Sequence, residues 1–270
     1  MNPRFHTRFF WAAFACLALL LALPAIAAEK LPDGEVATGD GEIASAWLTE
    51  PTDRYRHGVL GDAIEAGGLA VRLRDGRELV AILPPDSVFE DRYPRLYGDR
   101  IVVVRSYLDA GGAVSLWGLK DGELALLAES DPIGSRNRWL NPIGMADLDG
   151  DGAEEIAAVV TPHLAGLLTL YRQNGNRLEV VFQAAGYSNH VIGSRDLARS
   201  AVADFDGDGV VDIAVPGIDH ESLHFLSLRG GKLTTLKRID LPGRIERFDG
   251  LVDGPAVRVR AGGRVVVARP

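Results

Sequence analysis

Five glycine-bearing dipeptides punctuate this 270-residue chain at intervals that constrain it more than any other feature. They are Asp75-Gly76, Asp121-Gly122, Asn174-Gly175, Gly230-Gly231 and Gly262-Gly263. Each tolerates the positive φ of a two-residue hairpin turn. The flanks alternate as strands do, Leu69 to Leu73 and Leu79 to Leu83 around the first, Val257 to Val259 and Val265 to Val267 around the last. Successive turns lie 46, 53, 56 and 32 residues apart. Helical periodicity is nearly absent past Ala28. One sheet cannot cover both of its own faces, so hairpins recurring in this way must stack on one another.

An all-β chain with a period of roughly 40–50 residues and about four strands per unit fits a β-propeller. Five turns predict about five blades, or six if residues 43–68 hide a further degenerate unit. A β-sandwich is the alternative. The last repeat, Gly243 to Pro270, is short. Ile43 to Leu48 is a spare apolar strand, expected to complete the last blade and close the ring, because closure removes exposed edges.

The N-terminus reads as an address. Arg4 and Arg8 precede an apolar run from Phe9 to Leu23, then Pro24 and the small-x-small triplet Ala25-Ile26-Ala27. This predicts a signal peptide over residues 1–27, cut before Ala28, with a linker over 28–42 and the propeller over 43–270. The rival is an uncleaved anchor, since Phe9 to Ala28 is just long enough to span a bilayer. Cleavage would leave no stable membrane insertion and a periplasmic or secreted product. The single cysteine, Cys16, lies in the leader, so the mature chain suits an oxidising compartment. The formal charge is −8. That excess of acid argues against a nucleic-acid partner.

Two loops carry the sharpest chemical signal. Asp147-Leu148-Asp149-Gly150-Asp151-Gly152-Ala153-Glu154-Glu155 and Asp204-Phe205-Asp206-Gly207-Asp208-Gly209-Val210-Val211-Asp212 share the pattern D-x-D-x-D-G-x-x-[D/E], 57 residues apart. Carboxylates at positions 1, 3 and 5 can wrap one centre, glycine at 6 allows the sharp turn, position 7 offers a carbonyl (Ala153, Val210), and position 9 returns Glu155 or Asp212. That is a hard oxygen set suited to Ca2+. An EF-hand would need Glu at position 12 and flanking helices; position 12 is Ala158 or Val215, and the flanks read as strands. The stretches Met145 to Val160 and Val202 to Val215 resemble FG-GAP/VCBS-type repeats of calcium-binding β-propellers, including the integrin α-chain propeller. The resemblance implies calcium held between the first and second strands of a blade by Asp147, Asp149, Asp151, the Ala153 carbonyl and Glu155, and by Asp204, Asp206, Asp208, the Val210 carbonyl and Asp212. At Tyr97-Gly98-Asp99-Arg100 the equivalent loop is shortened.

In an antiparallel blade the acidic loops and the glycine hairpins share one face. The opposite face holds Ile133-Gly134-Ser135-Arg136 and its copy Ile192-Gly193-Ser194-Arg195. Arg138, Trp139 and His190 stand nearby, and His163 and His220 match at the 57-residue offset. Guanidinium forks, imidazoles and an indole on loops suit an anionic or carbohydrate-like ligand, or a protein. The candidate ligand residues are Arg136, Arg138, Trp139, His163, His190, Arg195 and His220. Capping of strand ends is the competing role.

His220-Glu221-Ser222-Leu223-His224 matches the zinc-protease motif H-E-x-x-H, but that motif needs a helix, and the run continues into a hairpin. No G-x-S-x-G occurs. The reading is an exported, non-enzymatic binding module with structural calcium. A polysaccharide-directed enzyme using the histidine-bearing face is the alternative.

Overall fold

The computed structural model describes residues 29–270 apart from Asp253. The leader expected over residues 1–27 and its cleavage site lie outside the described residues. Lys30 bridges to Thr49 and Leu31 is buried against the first sheet.

Among the described residues there is no α-helix, and the strands form five antiparallel meanders. The first contains β1 (Ala37–Thr38), β2 (Ile43–Thr52), β3 (Glu65–Leu73) and β4 (Glu78–Ile82). A short β5 (Ser87–Phe89) joins it to the second, made of β6 (Arg95–Tyr97), β7 (Arg100–Tyr107), β8 (Gly111–Lys120) and β9 (Glu123–Glu129). The third holds β10 (Leu140–Ala146), β11 (Glu155–Val160), β12 (Leu167–Asn174) and β13 (Arg177–Ala185). The fourth holds β14 (Ala201–Ala203), β15 (Asp212–Pro216), β16 (Ser222–Ser227) and β17 (Thr234–Asp240). The fifth has three strands, β18 (Ile245–Val252), β19 (Ala256–Ala261) and β20 (Arg264–Ala268).

Strand alternation explains how these sheets stack. Side chains point to opposite faces at successive residues, so one central strand feeds two cores. Ile101 and Val103 of β7 join the core shared with the first meander, while Val102 and Val104 join the core shared with the third. On β11, Ile156, Ala158 and Val160 face the second meander, and Ala157 and Val159 face the fourth. On β15, Ile213 and Val215 face the third meander and Ala214 the fifth. Four cores thus separate five meanders, a layering that a two-sheet sandwich cannot have.

The expected closing strand is corrected by the pairing. Ile43–Thr52 is the second strand of the first sheet, hydrogen-bonded to β1 and β3, and the last sheet remains three-stranded. The run could not serve as a spare because its inward-facing residues Ile43, Ala46 and Leu48 are needed to build the first core.

A buried polar hub ties inner strands together. Arg95 Nη1 donates to Asp91 Oδ2 at 2.7 Å and Nη2 to Asn141 Oδ1 at 3.0 Å. Asn141 Nδ2 donates to the Leu197 carbonyl at 2.9 Å and the Asn189 carbonyl at 3.2 Å. Asn189 Nδ2 returns a bond to the Asn141 carbonyl. One network therefore joins the entry to the second meander, the first strand of the third, and the connection to the fourth.

Candidate metal loops and a histidine cleft

The acidic loops connect β10 to β11 and β14 to β15. Each is wound by its own carboxylates. Asp147 accepts from the backbone amides of Gly150, Asp151 and Gly152, and Asp204 accepts from those of Gly207, Asp208 and Gly209. Gly150 and Gly152 sit at φ +78° and +92°, Gly207 and Gly209 at +81° and +88°. Those left-handed values explain the paired glycines of the motif. The winding brings a carboxylate oxygen of Asp147, Asp149 and Glu155 within 4.8 Å of one another, and likewise of Asp204, Asp206 and Asp212. Glu155 and Asp212 are fully buried. Burial pushes both carboxyls up, opposed by the amides of Leu148 and Phe205 that donate to them.

Asp151 and Asp208 stand outside these triads. Asp151 pairs with Arg172 at 2.9 Å and Asp208 with Arg229 at 2.6 Å. Ala153 and Val210 donate their amides to Asp151 and Asp208 and hold the seventh loop position. In the second loop, Asp212 Oδ1 is buried without a hydrogen-bond partner of normal geometry, the Ser227 hydroxyl being the polar group beside it. An orphaned buried carboxylate oxygen aimed into an oxygen cluster is what a hard cation would satisfy. The first loop differs: Arg172 reaches Asp149, Asp151 and Glu155 together.

Three of the seven other candidates meet in a cleft of about 190 Å³. Trp139, His163 and Arg138 line it, joined by His57, Asn137 and Thr161. His190 and His220 line the adjoining depression with His163 and Arg244. Trp139 is buried; its Nε1 donates to the Glu90 carbonyl at 2.9 Å, and its ring lies parallel to His163 and edge-on to His190. Arg136 is exposed beside Tyr55. Arg195 is turned to Asp62 and Asp33, away from this cleft. His224 bonds Ser222 at 3.1 Å and packs edge-on against Tyr187, so the H-E-x-x-H pair does not converge.

Proton positions in the cleft follow from its acceptors. His190 lies 2.9 Å from the Ser194 carbonyl through Nε2. A carbonyl only accepts, so that nitrogen carries the proton and Nδ1 accepts from His163 Nε2 at 2.8 Å. Burial holds His163, His190 and His220 at about 4, below the usual 6.5; for His220 the Arg199 and Arg244 charges act in the same direction. Their neutral forms support folding fully above the unfolded value near 6.5, and that support is lost as pH falls toward 4. Nitrogen-15 imidazole spectra at pH 5.5 should therefore show all three rings neutral, with His190 as the Nε2–H tautomer. Imidazolium signals there would refute the assignment.

Backbone strain marks the same place. Thr161 has φ +47° and Asn137 φ +57°, and His220 has φ +60°. A β-branched residue in the left-handed region costs about 1–3 kcal/mol and persists only where its surroundings fix it. Thr161 is pinned from both sides, donating to the Trp139 carbonyl at 3.0 Å and accepting from Gly166 at 3.1 Å. His57 is held through Nδ1 by Glu90, whose other oxygen accepts from Ser106. Sequence reading passed over His57, Glu90 and Thr161 because no motif frames them. Arg172 could have been found from the hairpin register, which pairs it with Glu155.

Residues 147–215, spanning both acidic loops, match the family described as an FG-GAP-like repeat. No curated protein matches the chain. Two solved structures are similar to it. One is the WD40 domain of coronin from Toxoplasma gondii, at 13% identity over 82% of this chain and 55% of that one, with a TM-score of 0.46. The other is a putative 6-phosphogluconolactonase from Bacteroides fragilis, at 12% identity over 85% of this chain and 64% of that one, with a TM-score of 0.42. The chain spans less than two thirds of the length of either.

Proposed function

We propose that this protein is an exported, non-enzymatic binding module of propeller type, in which calcium fastens the acidic loops and the histidine cleft receives a protein or carbohydrate ligand. The observation that carries the metal half is the matched pair of three-carboxylate clusters, each with one fully buried member. Calcium would supply positive charge and replace missing donors; Asp204, Asp206 and Asp212 would hold it, with the Val210 carbonyl as a further oxygen. The acidic loop of the third meander is itself built into the stack, since the Asp149 carbonyl accepts from the Gly230 amide of the fourth at 2.7 Å. Fastening a loop of this kind stabilises packing between sheets.

A melt of residues 28–270 in EDTA and in millimolar calcium tests this reading. A ligand bound only by the folded state, at a hundredfold excess over Kd, adds about 2.7 kcal/mol. For a domain of this size that is a rise in Tm of about 5–10 °C. The rise should shrink in Asp206→Ala, which takes one carboxylate from the second loop. An unchanged melt would end the calcium reading.

One observation favours catalysis as a second reading. His57 lines the cleft and is oriented by a buried carboxylate, which is how a general base is held. Release of reducing ends from a polysaccharide, lost in His57→Gln without a change in Tm, would select the enzyme; saturable glycan binding without turnover would select the module.

A further inference from the structure

We infer that the two acidic loops are not equivalent cation sites: Arg172 fills the first as a built-in counter-ion, and the second alone requires a divalent cation. This rests on the calcium reading above and assigns different roles to its two loops. The difference is visible oxygen by oxygen.

In the first loop every oxygen of Asp147, Asp149, Asp151 and Glu155 has a donor. Both oxygens of Asp147 take backbone amides. Asp149 Oδ1 takes the Asp151 amide and Asp151 Oδ1 the Ala153 amide. Glu155 Oε2 takes the Leu148 amide. The three oxygens that remain, Asp149 Oδ2, Asp151 Oδ2 and Glu155 Oε1, all belong to Arg172. A guanidinium presents its donors in a rigid planar fork, and here that fork spans the place where a metal would draw the same oxygens together.

The second loop repeats the amide pattern and lacks the fork. Asp208 Oδ2 is taken by Arg229, which is exposed and reaches no other carboxylate of the loop among the described contacts. Asp206 accepts at Oδ1 from Asp208. Asp212 Oδ2 takes the Phe205 amide, and its Oδ1 is the buried orphan. Asp206 Oδ2 and Asp212 Oδ1 thus match the two triad oxygens that Arg172 occupies in the first loop. The residue beside Asp212 is Ser227, whose hydroxyl brings no charge. A cation entering the second loop meets two oxygens to which no guanidinium is hydrogen-bonded among the described contacts, Arg229 acting on Asp206 only through its charge. A cation entering the first must displace a three-point ion pair.

Calcium calorimetry with terbium luminescence on residues 28–270 tests this through stoichiometry. The wild type should show one tight site, with any second site at least tenfold weaker, about 1.4 kcal/mol. Arg172→Ser, copying Ser227, should raise the tight stoichiometry to two. Asp212→Asn should remove the tight site in the wild type and leave one in the Arg172→Ser background. Ser227→Arg should remove the tight site by supplying the second loop with its own fork. Two equal sites in the wild type, or one site insensitive to Arg172→Ser, would overturn the inference while leaving calcium binding intact. No binding in either the wild type or Arg172→Ser would overturn both. Arg172 is partly exposed, so Arg172→Ser should fold, and a melt in EDTA confirms it.

Discussion

Arg95→Met is expected to lower stability by about 3–5 kcal/mol, because it leaves the Asp91 carboxylate buried and unpaired. Asp91 is 1% exposed and Arg95 9%. Asp91 also accepts from the amides of Arg92 and Val104, so it cannot turn away toward water. The loss would not stay local, since Arg95 also supports Asn141, which holds the carbonyls of Asn189 and Leu197. Domains are commonly stable by about 5–15 kcal/mol, so one such change removes a large share. Adding Asp91→Asn should recover about 1 kcal/mol, because the amide carries no charge and its oxygen still accepts from one of the two backbone amides. Urea midpoints followed by tryptophan fluorescence measure both. A single variant costing under about 1 kcal/mol would show that the hub is dispensable.

Trp139→Ala is expected to cost a similar amount, about 3–5 kcal/mol. The indole packs in the core between the second and third sheets and forms the wall against which His163 and His190 are set. Truncation leaves a cavity there and an unpaired Glu90 carbonyl. Trp139→Phe should cost less, about 1–3 kcal/mol, since it keeps the ring and loses the donor. The two variants should also separate at the cleft. Phe should preserve the His163–His190 hydrogen bond, while Ala should release it and move the imidazole titrations up toward 6.5. Equal costs for Ala and Phe would mean that the indole N–H and not the packing holds the site together.

The stacked-sheet plan was legible because it depends on period. Hairpin dipeptides and alternating runs are local, and each of the five predicted turns joins two strands or lies between them: Asp121-Gly122 links β8 to β9, and Asn174-Gly175 links β12 to β13. The acidic loops were legible for the same reason, with ligands and glycines inside nine residues. The fate of Ile43 to Leu48 was not. Its hydropathy fits a strand anywhere, and only the register with Val71, Ala70 and Leu69 decides where it pairs. The cleft was half visible. Repetition exposed His163 and His220, but His57 reaches the cleft from a long connection between β2 and β3, and Glu90 reaches it from the joint between two sheets. Side chains converging from distant chain segments leave no spacing to read. Arg195 shows the converse, since an exact sequence repeat placed it beside the others while its ion pairs take it elsewhere.

The alternation by which one strand serves two cores also sets how substitutions combine. Ile156 and Ala157 are neighbours in the chain, yet they belong to different interiors. Groups that share no partners tend to add independently, whereas those in one packed layer couple. Epistasis in this molecule should therefore follow the faces of the sheets: adjacent codons such as those for Val102 and Val103 drift separately, and residues far apart in the chain, such as Val102 and Ile156, are tied to a common fate.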